Sequence, residues 1–213
     1  MLKKRNLGRP FFWTLPAYVL LLKDSGGDWC IDAAQTELGR AVTCFLSPFD
    51  AIIEAAHLAK NGPSYRVMAA SEIDKNLFCD PDEEGLIADI HVGWPACDGR
   101  ILKRPSGAFG RSCTVMHHWA AYPPRFEVDA VMLAEYSQYR ELAGLYAWQE
   151  AAANILSWSE RRIDLLAERA LASIELTHSE PKDCKQIEIA LYDPEFEQWH
   201  FVPYAGRSNS GVE

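Results

Sequence analysis

Residues 18–22 read Tyr-Val-Leu-Leu-Leu without a polar interruption, the pattern of a strand buried on both faces. Ser25-Gly26-Gly27-Asp28 supplies a turn, and residues 29–33 read as the second strand of a hairpin. Residues 41–46 form a further strand candidate. Ser47-Pro48-Phe49-Asp50 then has the marks of a helix start: a hydroxyl at the N-cap, Pro at the first helical position and an acid in the first turn. That helix is expected to reach about Lys60, where Asn61-Gly62-Pro63 stops it, and to lay Ile52, Ile53, Ala56 and Ala59 on the sheet. Residues 65–69 return as a strand. Beyond an acidic loop at 80–85, residues 86–94 alternate, with Ile87, Asp89, His91 and Gly93 on one face and Leu86, Ala88, Ile90 and Val92 on the other.

From residue 127 to about 176 the period becomes helical. Val128, Val131, Met132, Leu142, Leu145, Tyr146, Ile155, Ile163, Leu166, Ala170 and Ile174 recur at three- and four-residue spacing among Ala and Glu. Ser157-Trp158-Ser159-Glu160 has the form of a capping box and divides the stretch, predicting a long antiparallel helical pair. After Glu180-Pro181 the alternation returns at Ile187, Ile189 and Leu191. Tyr192-Asp193-Pro194-Glu195 makes a turn, and residues 196–202 complete a C-terminal hairpin. The expected fold is therefore α+β: a mixed or antiparallel sheet with one packed helix, the helical pair at about 127–176 and the C-terminal β-hairpin. One domain is expected over 1–205, with a sheet-rich half at 1–126, a helical lobe at 127–180 and a hairpin at 186–203 rejoining the sheet. Residues 206–213 read as a disordered polar tail.

Composition changes little of this, since 213 residues at 48% hydrophobic and 24% charged are ordinary for a globular chain. The cysteines say more. Cys30, Cys44, Cys79, Cys97, Cys113 and Cys184 are dispersed, with no CxxC pair, so a disulfide framework is expected only behind an export signal. The N-terminus imitates one, with Lys3, Lys4, Arg5 and Arg9 before an apolar run at 11–22. Pro16 interrupts that run, Lys23-Asp24 ends it, and no small-x-small cleavage site follows. The run is also too short to span a bilayer. The reading is a soluble cytoplasmic protein with reduced thiols and no membrane partner.

Charge is unevenly placed. Residues 1–126 carry 14 basic and 14 acidic side chains, whereas 127–213 carry 7 and 16, so the net charge of −9 belongs to the C-terminal part. Asp164, Glu168 and Glu175 fall close together on a helical wheel, with Glu160 nearby, and Arg162 and Arg169 lie on the other side. In the terminal hairpin, Glu188, Glu195 and Glu197 stand among Tyr192, Trp199 and Phe201. Acids that steer beside aromatics that anchor suit an interface for a basic surface. The competing readings are a helix face kept acidic for solubility and a sheet edge guarded by charge.

Residues 99–126 hold Arg100, Lys103, Arg104, Arg111 and Arg125 with no acid. The glycines of Pro105-Ser106-Gly107-Ala108-Phe109-Gly110-Arg111-Ser112 suggest a phosphate cradle, but P-loop spacing is missing and Cys113-Thr114-Val115-Met116 reads as a strand rather than a helix. An ordinary basic hairpin loop is preferred. Cys97, Cys113, His117 and His118, with Asp89 and His91, offer metal-ligand chemistry but lack the tight pairs of structural zinc, so no metal or other cofactor is expected. No G-x-S-x-G elbow or comparable nucleophile signature occurs.

These observations predict a non-catalytic, cytoplasmic protein-binding module that resembles immunity and antitoxin-like proteins in size, acidity and lack of a catalytic motif. Its partner would be a basic toxin or effector, met through Glu160, Asp164, Glu168, Glu175, Glu188, Glu195, Glu197 and Trp199. The alternative is a small enzyme or a nucleic-acid or phosphate-binding factor using Arg100, Lys103, Arg104, Arg111 and His118. A subunit of a larger assembly is a third reading.

Overall fold

Alternation and turn chemistry place the elements in the order β1 (Tyr18–Lys23), β2 (Trp29–Ile31), β3 (Ala33–Thr36), β4 (Gly39–Phe45), α1 (Pro48–Ala59), β5 (Arg66–Ala69), β6 (Gly85–Cys97), β7 (Arg100–Leu102), β8 (Ser112–Trp119), α2 (Ala130–Leu142), α3 (Trp148–Ile155), α4 (Glu160–Ser173), β9 (Leu176–Thr177), β10 (Glu188–Asp193) and β11 (Gln198–Pro203). The computed structural model describes residues 17–36, 39–60, 62–74, 77–78, 85–119, 128, 130–178 and 184–204, of which 35–36, 39, 85–86 and 112–119 are described by backbone alone. The acidic stretch 80–84, Arg125 and the tail from 206 lie outside these residues. No described helix is long and apolar enough to cross a membrane.

The fold is α+β with a mixed sheet, as the patterning predicts, and β6 is its spine. The first part of β6 pairs in parallel with β4 and antiparallel with β8, and its end pairs antiparallel with β10 and β7. A register shift between His91 and Gly93 separates the two parts. The parallel β4–β6 pair requires a crossover, and α1 lies within it. Asp98 and Gly99, both at positive φ, form the two-residue turn from β6 to β7, a conformation that Asp-Gly adopts readily. The terminal hairpin β10–β11 joins the sheet through β6.

Successive residues of β1 point to opposite faces, and each face has its own cover. Val19 and Leu21 pack with Val42, Cys44, Ala88 and Ile90 beneath Met132 and Tyr136 of α2. Tyr18 and Leu20 pack beneath Ala51 and Ala55 of α1. Further along, Phe49, Ile53, Ile155, Leu166 and Ala170 bring α1, α3 and α4 onto Trp94, Ala190 and Tyr192. Each fully buried Val, Leu, Ile, Phe or Met side chain among these contributes about 1.5–3 kcal/mol.

Three features differ from the sequence reading. The helical stretch is divided into three helices rather than two. Gly144, at φ +79°, ends α2 in a Schellman arrangement, with Leu145 N–H donating to the Arg140 carbonyl and Gly144 N–H to that of Glu141. A break falls where the capping-box pattern predicts one, but the cap of α4 is Ser159, which accepts from Arg162 N–H, and not Ser157, whose hydroxyl donates to the Asn154 carbonyl.

The second difference concerns α1. It begins at the Ser47 cap as predicted, but buries Asp50, Glu54 and His57 along with Phe49 and Ile53, while Ala59 is exposed. Helical periodicity counts apolar positions only, and here arginines from distant elements make burial of the acids tolerable. Third, Cys97 and Cys184 form a disulfide, where reduced thiols are expected. The sheet brings together two cysteines that no local spacing connects.

Candidate functional site

The acidic face of α4 survives folding in part. Glu160, Asp164 and Glu168 are exposed at four-residue steps and form one wall of a groove of 630 Å³. The facing wall carries Ile52, Ala55, Ala56 and Ala59 of α1, with Tyr65, Arg66 and Val67 beside them. The apolar positions expected to lie on the sheet thus partly line this groove instead. Two of the three arginines of α4 are occupied elsewhere: Arg162 lies over the Trp158 ring at 3.8 Å, and Arg169 donates to both carboxylate oxygens of Glu197 at 3.0 and 2.8 Å. Among the described residues, no cation pairs with Glu160, Asp164 or Glu168, and like charges four apart cost about 0.2–0.5 kcal/mol per pair.

The other predicted contact residues are dispersed. Glu175 lies beyond the end of α4, so helical spacing no longer aligns it with the stripe, and its carbonyl accepts from Ile101 N–H. Glu188 accepts from Gly99 N–H at 3.1 Å and steadies the β6–β7 turn. Glu197 is engaged by Arg169, and Glu195 is exposed on the β10–β11 turn. Trp199 donates to the Ala170 carbonyl and meets the rings of Trp94 and Tyr192, so it joins the hairpin to α4.

The basic stretch also separates. Arg104 is exposed, Arg100 and Lys103 are half-buried, and His118 sits on β8 at a register position opposite Leu86. The glycine loop closes on itself: Gly107 N–H donates to the Arg104 carbonyl, Arg104 N–H to that of Ala108, and Gly110 N–H to that of Leu102. Its amides are committed to these bonds rather than to an anion, and a strand follows.

Arg111 is turned inward, and patterning alone does not reveal where it goes. Its guanidinium donates to Glu54 at 3.2 Å, Thr43 at 2.8 Å and Asp32 at 3.2 Å, and the Trp94 indole donates to the second Glu54 oxygen at 2.8 Å. Tyr65 connects this network to the groove. Burial first, then the nearby Asp32 carboxylate, raises its hydroxyl pKa. A second centre joins Arg140 of α2 to Asp50 of α1 in a buried ion pair, with the guanidinium 4.9 Å from the Tyr136 ring centre. Burial pushes the Asp50 carboxyl up and Arg140 opposes it. Arg140 keeps its charge, because arginine does not release its proton in proteins.

His91 senses both arginines. It is wholly buried, 4.8 Å from the Phe45 ring and 4.7 Å from that of Trp94, and neither ring nitrogen has a hydrogen-bond partner among the described residues. Burial, then Arg140 and Arg111, hold its pKa well below the ordinary histidine value. One oxygen of Asp89 is likewise buried and unpartnered, and burial raises that carboxyl against the pull of Arg111 and Arg104. Sequence alternation places Asp89 and His91 on one face but carries no sign of their isolation.

Among the described residues no three His, Cys, Asp or Glu side chains are grouped to hold a metal ion, and the Cys97 sulfur is committed to Cys184. Cys113 and His117 occupy backbone positions opposite His91 and Ile87. No protein-family model, curated protein or solved structure matches this chain.

Proposed function

We propose that the protein is a non-catalytic binding module of the immunity or antitoxin kind, whose α1–α4 groove takes a basic segment of a toxin or effector. The observation supporting this reading is the unpaired acidic wall of Glu160, Asp164 and Glu168 facing an alanine-rich wall. A segment with Lys or Arg on one side and small apolar residues on the other is complementary to both, the charges raising the encounter rate and the apolar contact slowing release. The Cys97–Cys184 disulfide favours an oxidising compartment over the reducing cytoplasm expected from sequence.

The test is capture of the native partner by wild type and by the triple variant Glu160→Lys, Asp164→Lys, Glu168→Lys. The variant should keep its far-UV spectrum and lose the partner at physiological salt, and the wild-type complex should weaken steeply as salt rises. Unchanged affinity and salt dependence in the variant would reject the reading. If Lys103→Glu with Arg104→Glu abolished capture instead, the basic stretch would be the interface.

A further inference from the structure

Helix α3 is covered less than its composition demands. It has eight residues, and Ile155 is the one that it buries completely. A helix so short has little stability of its own in water and depends on what packs against it. Trp148, Ala152 and Leu156, the last just beyond the helix end, follow at four-residue steps and make one apolar face, on which Leu156 is 61% exposed.

That face, with Gln149 and Ala153, forms one wall of a pocket of 200 Å³, and Tyr18 and Leu46, both buried, complete the lining. Trp148 stands edge-on to Tyr136 at 4.9 Å, which fixes the wall at that end. A cavity of roughly 150 Å³ accommodates benzene, so the scale here is one aromatic side chain. The pocket shares no lining residue with the α1–α4 groove.

The chain itself carries a cover of the right chemistry. β1 starts at Tyr18, and the Ala17 carbonyl before it accepts from Ala70 N–H, so the preceding residues join the sheet at the pocket. Phe11-Phe12-Trp13 stand a few positions ahead, and a reach of at most about 3.6 Å per residue keeps the Trp13 Cα within about 18 Å of that of Tyr18. A tether that short gives the segment an effective concentration in the millimolar range, an advantage over any free ligand. Charge separates it from a second copy as occupant. Residues 1–16 hold Lys3, Lys4, Arg5 and Arg9 with no acid, whereas a second copy brings its whole net charge of −9 to a surface of the same sign.

We propose that Phe11-Phe12-Trp13 folds back as an apolar strap into this pocket, seating an aromatic ring between Tyr18 and the face of Trp148, Ala152 and Leu156, and so clamps α3 onto the sheet. The strap is a contact within one chain and does not depend on what the α1–α4 groove binds.

The full chain carrying the photoreactive substitution Trp13→p-benzoylphenylalanine tests this directly. Irradiation should join position 13 to residues 148–156 of the same chain, read by mass spectrometry. Ala152→Phe fills the pocket from its own wall and should abolish that product. In a second variant, Phe11→Ser, Phe12→Ser and Trp13→Ser lie ahead of β1, so the sheet is retained. Its α3 amides should exchange with solvent at least about tenfold faster than in wild type, the loss of one buried aromatic, while those of β4 and β10 keep their rates. The proposal is overturned if the crosslink joins two chains, reaches another part of the chain or fails to form, if Ala152→Phe leaves it in place, or if the triple variant leaves α3 exchange unchanged.

Discussion

His91 is the residue whose chemistry is most at odds with its surroundings, a titratable ring packed on Phe45 and Trp94 within the field of two arginines and without a hydrogen bond among the described residues. Its pKa is lowered in the folded state, so the neutral ring stabilises the fold above the unfolded value of about 6.5, and that contribution is lost as pH falls. Each unit below that point costs about 1.4 kcal/mol for one proton. Asp50 and Asp89, pushed up by burial, act in the opposite sense and are common to wild type and variant. Urea unfolding at pH 7 and pH 5 should therefore show His91→Leu losing about 2 kcal/mol less than wild type between the two. A wild type as acid-resistant as the variant would contradict this. Alternation along 86–94 correctly predicts that Asp89 and His91 share a face. It says nothing of the arginines, because Arg111 follows a glycine loop and Arg140 lies on another helix, and pairing over such separations leaves no local period.

Elements with strong punctuation were the readable ones. Ser47-Pro48 starts α1 and Asp193-Pro194 turns the last hairpin, each through chemistry confined to four residues. The long spine was less readable, because β6 continues past the register shift at Gly93, through Pro95, to Cys97. Gly93 shows why that passage needs its residue. A Cβ there would lie 2.3 Å from Ile189 Cγ2, 2.8 Å from Leu191 Cδ2 and 2.9 Å from the Ala190 carbonyl oxygen, all on β10. Gly93→Ala should lower the urea midpoint by the equivalent of about 1–3 kcal/mol, the cost of overpacking a closed seam. Gly144→Ala meets nothing within 4 Å and differs only in its strained positive φ, so it should cost about 1 kcal/mol. Equal destabilisation by the two would argue against a tight β6–β10 seam.

At the scale of the whole molecule, the Cys97–Cys184 bond ties the end of β6 to the segment leading into β10 across 87 positions of sequence. In the chain-entropy model a loop of that size contributes about 4–5 kcal/mol, so Cys97→Ser with Cys184→Ser should lower unfolding free energy by up to that amount. If reduction left the unfolding midpoint unchanged, the bond would have no such part in stability. Dispersed cysteines gave no hint of this pairing, since only the completed sheet makes them neighbours. The pairing of β6 with β10 also has a consequence for biosynthesis. Residues 94–96 emerge from the ribosome some ninety positions before the strand that covers them at Glu188, Ile189 and Ala190. Until then that edge is an unsatisfied template for any strand nearby. Folding of the sheet must therefore wait until β10 has been made, and a chain halted in the helical region would be an aggregation hazard rather than a smaller working protein.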